Sequence, residues 1–174
     1  RRFRGGRIVD MACGHGLAAA LLLILDDSSP LALAVDRSLP ASANKLYTAL
    51  LESWPRLEGR IELIESSLEN IILEPTDLVV SVHACGGLSD LILQQAAKAQ
   101  ARLALLPCCH NLKDADQGGL GGWLDGPLAA DVVRAQHLRN QGYTIFTQQI
   151  PAEITPKNRL LMAEPSRSIN RPGL

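Results

Sequence analysis

Asp10, Gly14, Gly16 and Asp36 have the types and the spacing to hold a nucleoside-bearing ligand. The run Ile8-Val9-Asp10-Met11-Ala12-Cys13-Gly14-His15-Gly16 is apolar at its start and then breaks into glycines, and an apolar stretch from Leu17 to Leu25 follows at once. Glycines let the backbone approach a ligand closely, and the N–H groups that open the following helix favour an anionic group there. A second apolar run, Leu31 to Val35, ends in Asp36, whose carboxylate suits the paired hydroxyls of a ribose. Strand, glycine turn, helix, strand and acid therefore imply a cofactor that contains adenosine. Gly14-x-Gly16-x-x-Ala19 with Asp36 also fits the dinucleotide pattern, which keeps a nicotinamide-dependent oxidoreductase open as an alternative. A non-catalytic binding module with the same fold is another.

A second group of reactive side chains follows other apolar runs. Cys13 and His15 come after the first, His83 and Cys85 after Leu78–Val82, and Cys108, Cys109 and His110 after Arg102–Pro107. In an open α/β sheet, ligands bind beyond the carboxyl ends of the strands, so these seven residues are candidates for one neighbourhood. Thiolate and imidazole are zinc ligands, but no Cys-x-x-Cys pair occurs, and Cys108 and Cys109 would point to opposite sides of an extended chain. A thiol nucleophile is a second reading, since Pro107-Cys108 is similar to the Pro-Cys pair of enzymes that methylate carbon 5 of pyrimidines. The best-supported role for these residues is as small polar groups lining a cofactor and substrate pocket, with no metal.

The elements that must position these residues alternate. Apolar runs predict strands near 7–11, 31–35, 61–65, 78–82, 102–107, 143–150 and 159–164. Helices are expected near 16–26, 40–54, 88–100 and 127–141, with a short helical turn at 68–72. Ser38 is expected to cap the second helix and Pro40 to lie in its first turn, while Pro55 stops it and Gly142 closes the last helix. Such an order predicts a Rossmann-like, doubly wound α/β fold whose seven-stranded sheet is mostly parallel. The link between the last two strands, residues 151–158, is too short for a crossover helix, so the last strand should run antiparallel. Residues 1–165 are expected to form one domain and 166–174 a disordered tail. The glycine-rich stretch 108–126 reads as a long loop beside the site.

Composition narrows the function classes. Only six residues are aromatic, too few for a base-stacking platform. A net charge of -1 argues against broad electrostatic capture of nucleic acid. Eight of the 17 basic residues nevertheless lie near the ends, at Arg1, Arg2, Arg4, Arg7, Lys157, Arg159, Arg167 and Arg171, where they could form a rim that meets phosphate. No apolar run reaches the length of a membrane span and no signal peptide is evident, so a cytoplasmic location and no membrane partner are expected.

Asp10-x-x-x-Gly14-x-Gly16 resembles the first motif of class I S-adenosylmethionine-dependent methyltransferases, which also end in a reversed strand. Val80-Ser81-Val82-His83-Ala84-Cys85-Gly86-Gly87-Leu88-Ser89-Asp90, Leu106-Pro107-Cys108-Cys109-His110 and Ile154-Thr155-Pro156-Lys157-Asn158-Arg159 are similar to segments of one subfamily. That subfamily includes the enzymes that 2′-O-methylate the tRNA acceptor stem and related methyltransferase-like proteins. Asn111 stands where those tRNA enzymes carry a second histidine, and none of their zinc-finger modules occurs in this sequence. The resemblance implies S-adenosylmethionine as cofactor and methyl transfer to an O or N nucleophile on an unidentified acceptor, with RNA the leading class. It implies that Asp10, Gly14 and Gly16, with Cys13 between them, hold the methionine end, and that Asp36 holds the ribose. Arg37 would border the adenine, Ser67 and Leu68 would lie near its amine, and His83 and Cys85 would face the reacting methyl. His110 is the first candidate for proton acceptor and His83 the second, because neutral imidazole accepts protons near pH 7.

Overall fold

A computed structural model describes residues 3–82 and 84–166. Seven strands form one sheet: β1 (Ile8–Met11), β2 (Ala32–Asp36), β3 (Ile61–Glu65), β4 (Leu78–Ser81), β5 (Arg102–Leu105), β6 (Tyr143–Gln149) and β7 (Arg159–Pro165). Their order is β3-β2-β1-β4-β5-β7-β6. The first five pair in parallel, with Ile8 beside both Ala32 and Leu78, and β7 lies antiparallel between β5 and β6. The doubly wound sheet with its reversed last strand is the expected one. All seven strands lie where the apolar runs place them, and the central β1 and β4 are buried along their whole length, which requires near-continuous apolar sequence.

Alternation along β1 sends Val9 and Met11 to one face and Ile8 to the other, so the sheet divides two cores. Helices α3 (Gly87–Lys98) and α4 (Gly126–Asn140) cover the first face, where Ile92, Ala96 and Leu138 pack on Val79, Leu103 and Leu105. On the second face, α1 (Leu17–Leu25) and α2 (Ala43–Ser53) cover β1 to β3, where Ala19, Ala20 and Leu23 of α1 lie against Ala32, Ala34 and Ile61. Beyond β4 that second face forms an open trough of about 870 Å³, lined by Leu22, Leu78, Val80, Ala104, Leu160 and Met162 among others.

The ends of the strands are braced by charge. Asp77, fully buried, accepts two hydrogen bonds from the Arg7 guanidinium (2.7 and 3.0 Å) and one from the Glu74 amide (2.7 Å), tying the approach to β1 to that of β4. Arg4 pairs with Asp26 and Arg159 with Asp131, so three of the expected basic rim residues are neutralised by acids of the same domain. Arg1, Arg2, Arg167 and Arg171 lie outside the described residues, as does the expected tail from 167 onward. Ser166 is held to the Gly142 carbonyl through its amide (2.8 Å).

One helix boundary differs from expectation. α2 starts at Ala43 with Ser42 as its N-cap, so Pro40 and Ser38 lie before it. The cause is local: the Ser38 amide turns back onto the Asp36 carboxylate and the Leu39 amide donates to Glu65 (3.0 Å). Those bonds use the segment as a turn, and the Pro40 carbonyl then accepts from the Ala43 amide. Short 3-10 helices occupy Pro55–Leu57, Leu68–Asn70 and, within the glycine-rich loop, Leu120–Gly122. Among the described residues no helix is long and apolar enough to cross a membrane.

Candidate active site

The strand order reverses between β1 and β4, and Asp10 of β1 with the glycine turn that follows it lies at that switch. Asp10 is 1% exposed and its carboxylate accepts one hydrogen bond, from the Ala19 amide of α1 (3.2 Å). Burial pushes its pKa up to about 7 despite that bond, and the nearby Asp36 charge adds to the rise. Ala12 then enters the left-handed region at φ 60°, an uncommon conformation for a residue with a Cβ, so some strain is stored where the strand becomes the turn.

The turn itself is closely packed on one side and open on the other. Gly16, at φ 74°, precedes α1, and a Cβ there would stand 3.0 Å from both Ala34 Cβ and Leu63 Cδ2. Gly14, at φ 57°, would meet no heavy atom within 4 Å, so open space lies over the turn at that residue. The Gly14 amide donates to the Asp36 carboxylate (2.8 Å), and the Cys13 amide donates to the Val35 carbonyl (3.0 Å). Asp36 is half-buried at the end of β2 and so is fixed beside the turn. Cys13 is buried, and burial, together with the Asp10 and Asp36 carboxylates, pushes its thiol up to about 12. It is a neutral wall of the crevice.

The remaining cofactor candidates lie along the same edge. Arg37 is exposed, and its charge helps hold the Glu69 carboxyl below its ordinary value, after the larger effect of the Ser67 hydroxyl donating to Glu69. Leu68 is buried in the first core, and its carbonyl accepts from Gln95 of α3 (3.1 Å). Ser81, at the end of β4, is 1% exposed, and its hydroxyl has no hydrogen-bond partner in the described structure.

Of the seven candidate cysteines and histidines, the six described make separate sets of contacts. His15 turns toward α2, where its Nε2 meets the Ser42 hydroxyl (2.8 Å). His83 lies outside the described residues. The other residues beyond β4 and β5 divide in two. The Sγ atoms of Cys85, Cys108 and Cys109 all lie within 4.8 Å of one another, with Cys85 and Cys108 2.9 Å apart. β5 ends at Leu105, so Cys108 and Cys109 are not in extended strand and their side chains need not diverge. The Cys108 thiol beside it, then burial and Cys109, push the Cys85 thiol up to about 12.

The His110 side chain is 3% exposed, with its Nε2 2.7 Å from an Asp131 oxygen on α4. Asp131 also accepts from Arg134 (3.2 Å) and from Arg159 of β7 (2.8 Å). Arg134, itself buried, donates to both oxygens of Asp90 on α3 (2.7 and 3.1 Å) and to the Gly86 carbonyl (3.3 Å). One connected set of charges thus ties the loop after β4 to α3, α4 and β7. His110 also lines a small cleft of about 140 Å³ with Pro156, Lys157 and Asn158, so two of the motif segments meet there. Asp131 and Arg134 carried no expectation from the sequence. Their i, i+3 spacing on a helix was the available signal, and it is common on solvated helix faces.

No curated protein matches the chain. Solved structures do. An O-methyltransferase family protein from Burkholderia thailandensis superimposes with a TM-score of 0.59 at 18% identity, over 93% of this chain and 51% of its own, so the chain spans about half of that protein. An O-methyltransferase from neocarzinostatin biosynthesis, solved with S-adenosylmethionine, gives 0.57 at 17% identity, over 93% and 49% of the two chains. The 16S rRNA methyltransferase KamB gives 0.61 at 15% identity, over 94% and 89%. At these identities the likeness is one of fold. A family model described as a methyltransferase domain matches residues 3–115, which hold β1 to β5 and the whole glycine turn, and the chain belongs to that methyltransferase family.

Proposed function

We propose that the domain binds S-adenosylmethionine in the crevice beyond β1 and β2 and directs its methyl group to an oxygen or nitrogen nucleophile. The observation that carries this reading is the pair of carboxylates at the ends of adjacent strands, Asp10 and Asp36, with the glycine turn latched between them by the Gly14–Asp36 bond. The residues present fit the cofactor. The space over Gly14 admits a ligand against the backbone, Asp10 suits the cationic methionine end, and the half-buried Asp36 suits the ribose hydroxyls. Arg37, Ser67 and Leu68 would border the adenine, and Cys13, Gly14 and Gly16 would form the floor. When bound, S-adenosylmethionine supplies a methyl group already activated by its sulfonium, so positioning of the acceptor can account for much of the rate.

His110 would take the acceptor's proton. An Asp131 carboxylate held by two arginines accepts from Nε2 and so orients the ring, leaving Nδ1 as the nitrogen that would meet the acceptor. The role expected for His83 rests on the sequence alone. RNA is the acceptor class to test first, supported by the subfamily motifs and by the likeness in fold to an rRNA methyltransferase.

The test is thermal unfolding with S-adenosylhomocysteine, S-adenosylmethionine and NAD in parallel. A ligand at about 100 times its Kd adds about 2.7 kcal/mol to the native state, or about 5–10 °C for a domain of this size. A rise with the first two ligands and none with NAD is expected. A rise with NAD alone would overturn the reading in favour of an oxidoreductase, and no rise with any ligand would overturn it in favour of a domain that keeps the fold without the cofactor.

A further inference from the structure

Three thiols meet beyond β4 and β5. We propose that Cys85, Cys108 and Cys109 bind one thiophilic divalent ion, Zn²⁺, which bridges the loops after these two strands.

The argument starts from geometry. Three Sγ atoms within 4.8 Å of one another already approximate one face of a tetrahedron. With Zn–S bonds of about 2.3 Å, tetrahedral ligands lie roughly 3.8 Å apart. The Cys85–Cys108 pair, now at 2.9 Å, would open by roughly 1 Å, within reach of side-chain rotation. The backbone around the cluster is held from several sides. The Gly86 amide donates to the Cys109 carbonyl (3.0 Å), which joins the two loops directly. Arg134 clamps the Gly86 carbonyl, and the Asp131 bond to His110 fixes the residue next to Cys109. A metal site needs ligands oriented by such outer contacts.

Ligand chemistry selects the ion. Among the described residues the cluster holds sulfur and no carboxylate, which favours zinc over magnesium or calcium. Three protein ligands are the number found in zinc sites that keep a position for water or substrate. Cys85 and Cys109 are exposed, so the fourth place is accessible to water or to a heteroatom of the acceptor. Adjacent cysteines can both serve because the chain has left β5 before reaching them.

The experiment uses the full chain, reduced, stripped with chelator and titrated with Co²⁺ alone and then with Zn²⁺. Expected is one Co²⁺ per chain with thiolate-to-cobalt charge-transfer absorption and tetrahedral d–d bands, both abolished by one equivalent of Zn²⁺. Cys85→Ser, Cys108→Ser and Cys109→Ser should each weaken Zn²⁺ by more than about 100-fold, beyond the loss typical of outer-shell changes. Cys13→Ser, outside the thiol cluster, should leave the spectrum as it is. Absence of charge-transfer absorption from the reduced wild-type protein would overturn the proposal whatever the variants do. So would a Cys85–Cys108 disulfide that forms in glutathione buffer despite equimolar Zn²⁺, which mass spectrometry would detect. None of these readouts involves S-adenosylmethionine, so a failure of the cofactor reading would leave them unchanged.

Discussion

Replacing Asp10 with asparagine should change how stability depends on pH more than it changes stability at any one pH. In the folded protein this carboxyl is 1% exposed and its pKa is raised from 3.8 to about 7. The native state therefore holds a proton that the unfolded chain has given up, so the associated stability is fully present below about pH 4 and is lost as the pH rises toward 7. The whole change amounts to about 4 kcal/mol, of which about 2.5 kcal/mol falls between pH 5 and pH 8. Asparagine cannot ionise and can still accept from the Ala19 amide through Oδ1. Its amide group introduces a buried donor that costs about 1–3 kcal/mol if unpaired, but that cost is the same at both pH values and cancels. Urea unfolding of wild type and Asp10→Asn at pH 5 and pH 8 gives the required double difference. The variant should gain about 2–3 kcal/mol on wild type between the two conditions. Parallel pH profiles, within about 0.5 kcal/mol, would show that Asp10 is ionised and comfortable in the fold and would refute the reasoning.

Asp36→Ala should weaken S-adenosylhomocysteine by about tenfold to a hundredfold in a calorimetric titration, since charge-assisted hydrogen bonds worth about 1.5–3 kcal/mol are lost. Unchanged affinity would count against the crevice as the cofactor site. Gly16→Ala should lower stability by about 1–3 kcal/mol in denaturant, because the added methyl meets Ala34 and Leu63 at 3.0 Å while the backbone stays at positive φ. Asp131→Asn should cost about 2–3 kcal/mol, since Arg134 loses one of its two acids and His110 and Arg159 lose their anion. A loss below about 0.5 kcal/mol would mean that the network is not a brace.

The central strands were legible because strands buried along their whole length demand apolar runs, as in Ile8–Met11 and Leu78–Ser81, where every residue is buried. The antiparallel end was legible from chain length alone, since eight residues cannot return a chain to the far side of the sheet. The approach of Asp36 to the glycine turn followed from parallel pairing of β1 with β2. What was not legible depended on contacts between distant segments. The start of α2 was moved by Glu65, a partner 26 residues beyond Leu39. Arg134 and Asp131 read as ordinary helix residues until α3, β7 and the loop after β5 closed around them. The convergence of Cys108 with Cys109 depends on where β5 stops, a boundary that apolar periodicity places only to within a few residues.

The hydrogen bond from the Gly14 amide to Asp36 has a kinetic consequence. A loop amide is normally open to solvent exchange, but this one is pinned to a carboxylate 22 positions along the chain. The turn is thus assembled before any ligand arrives, and binding need not wait for the loop to find its shape. For the proposed cofactor, encounter should then be limited by diffusion and orientation rather than by loop ordering, so that variants of the turn would show themselves in how slowly it departs.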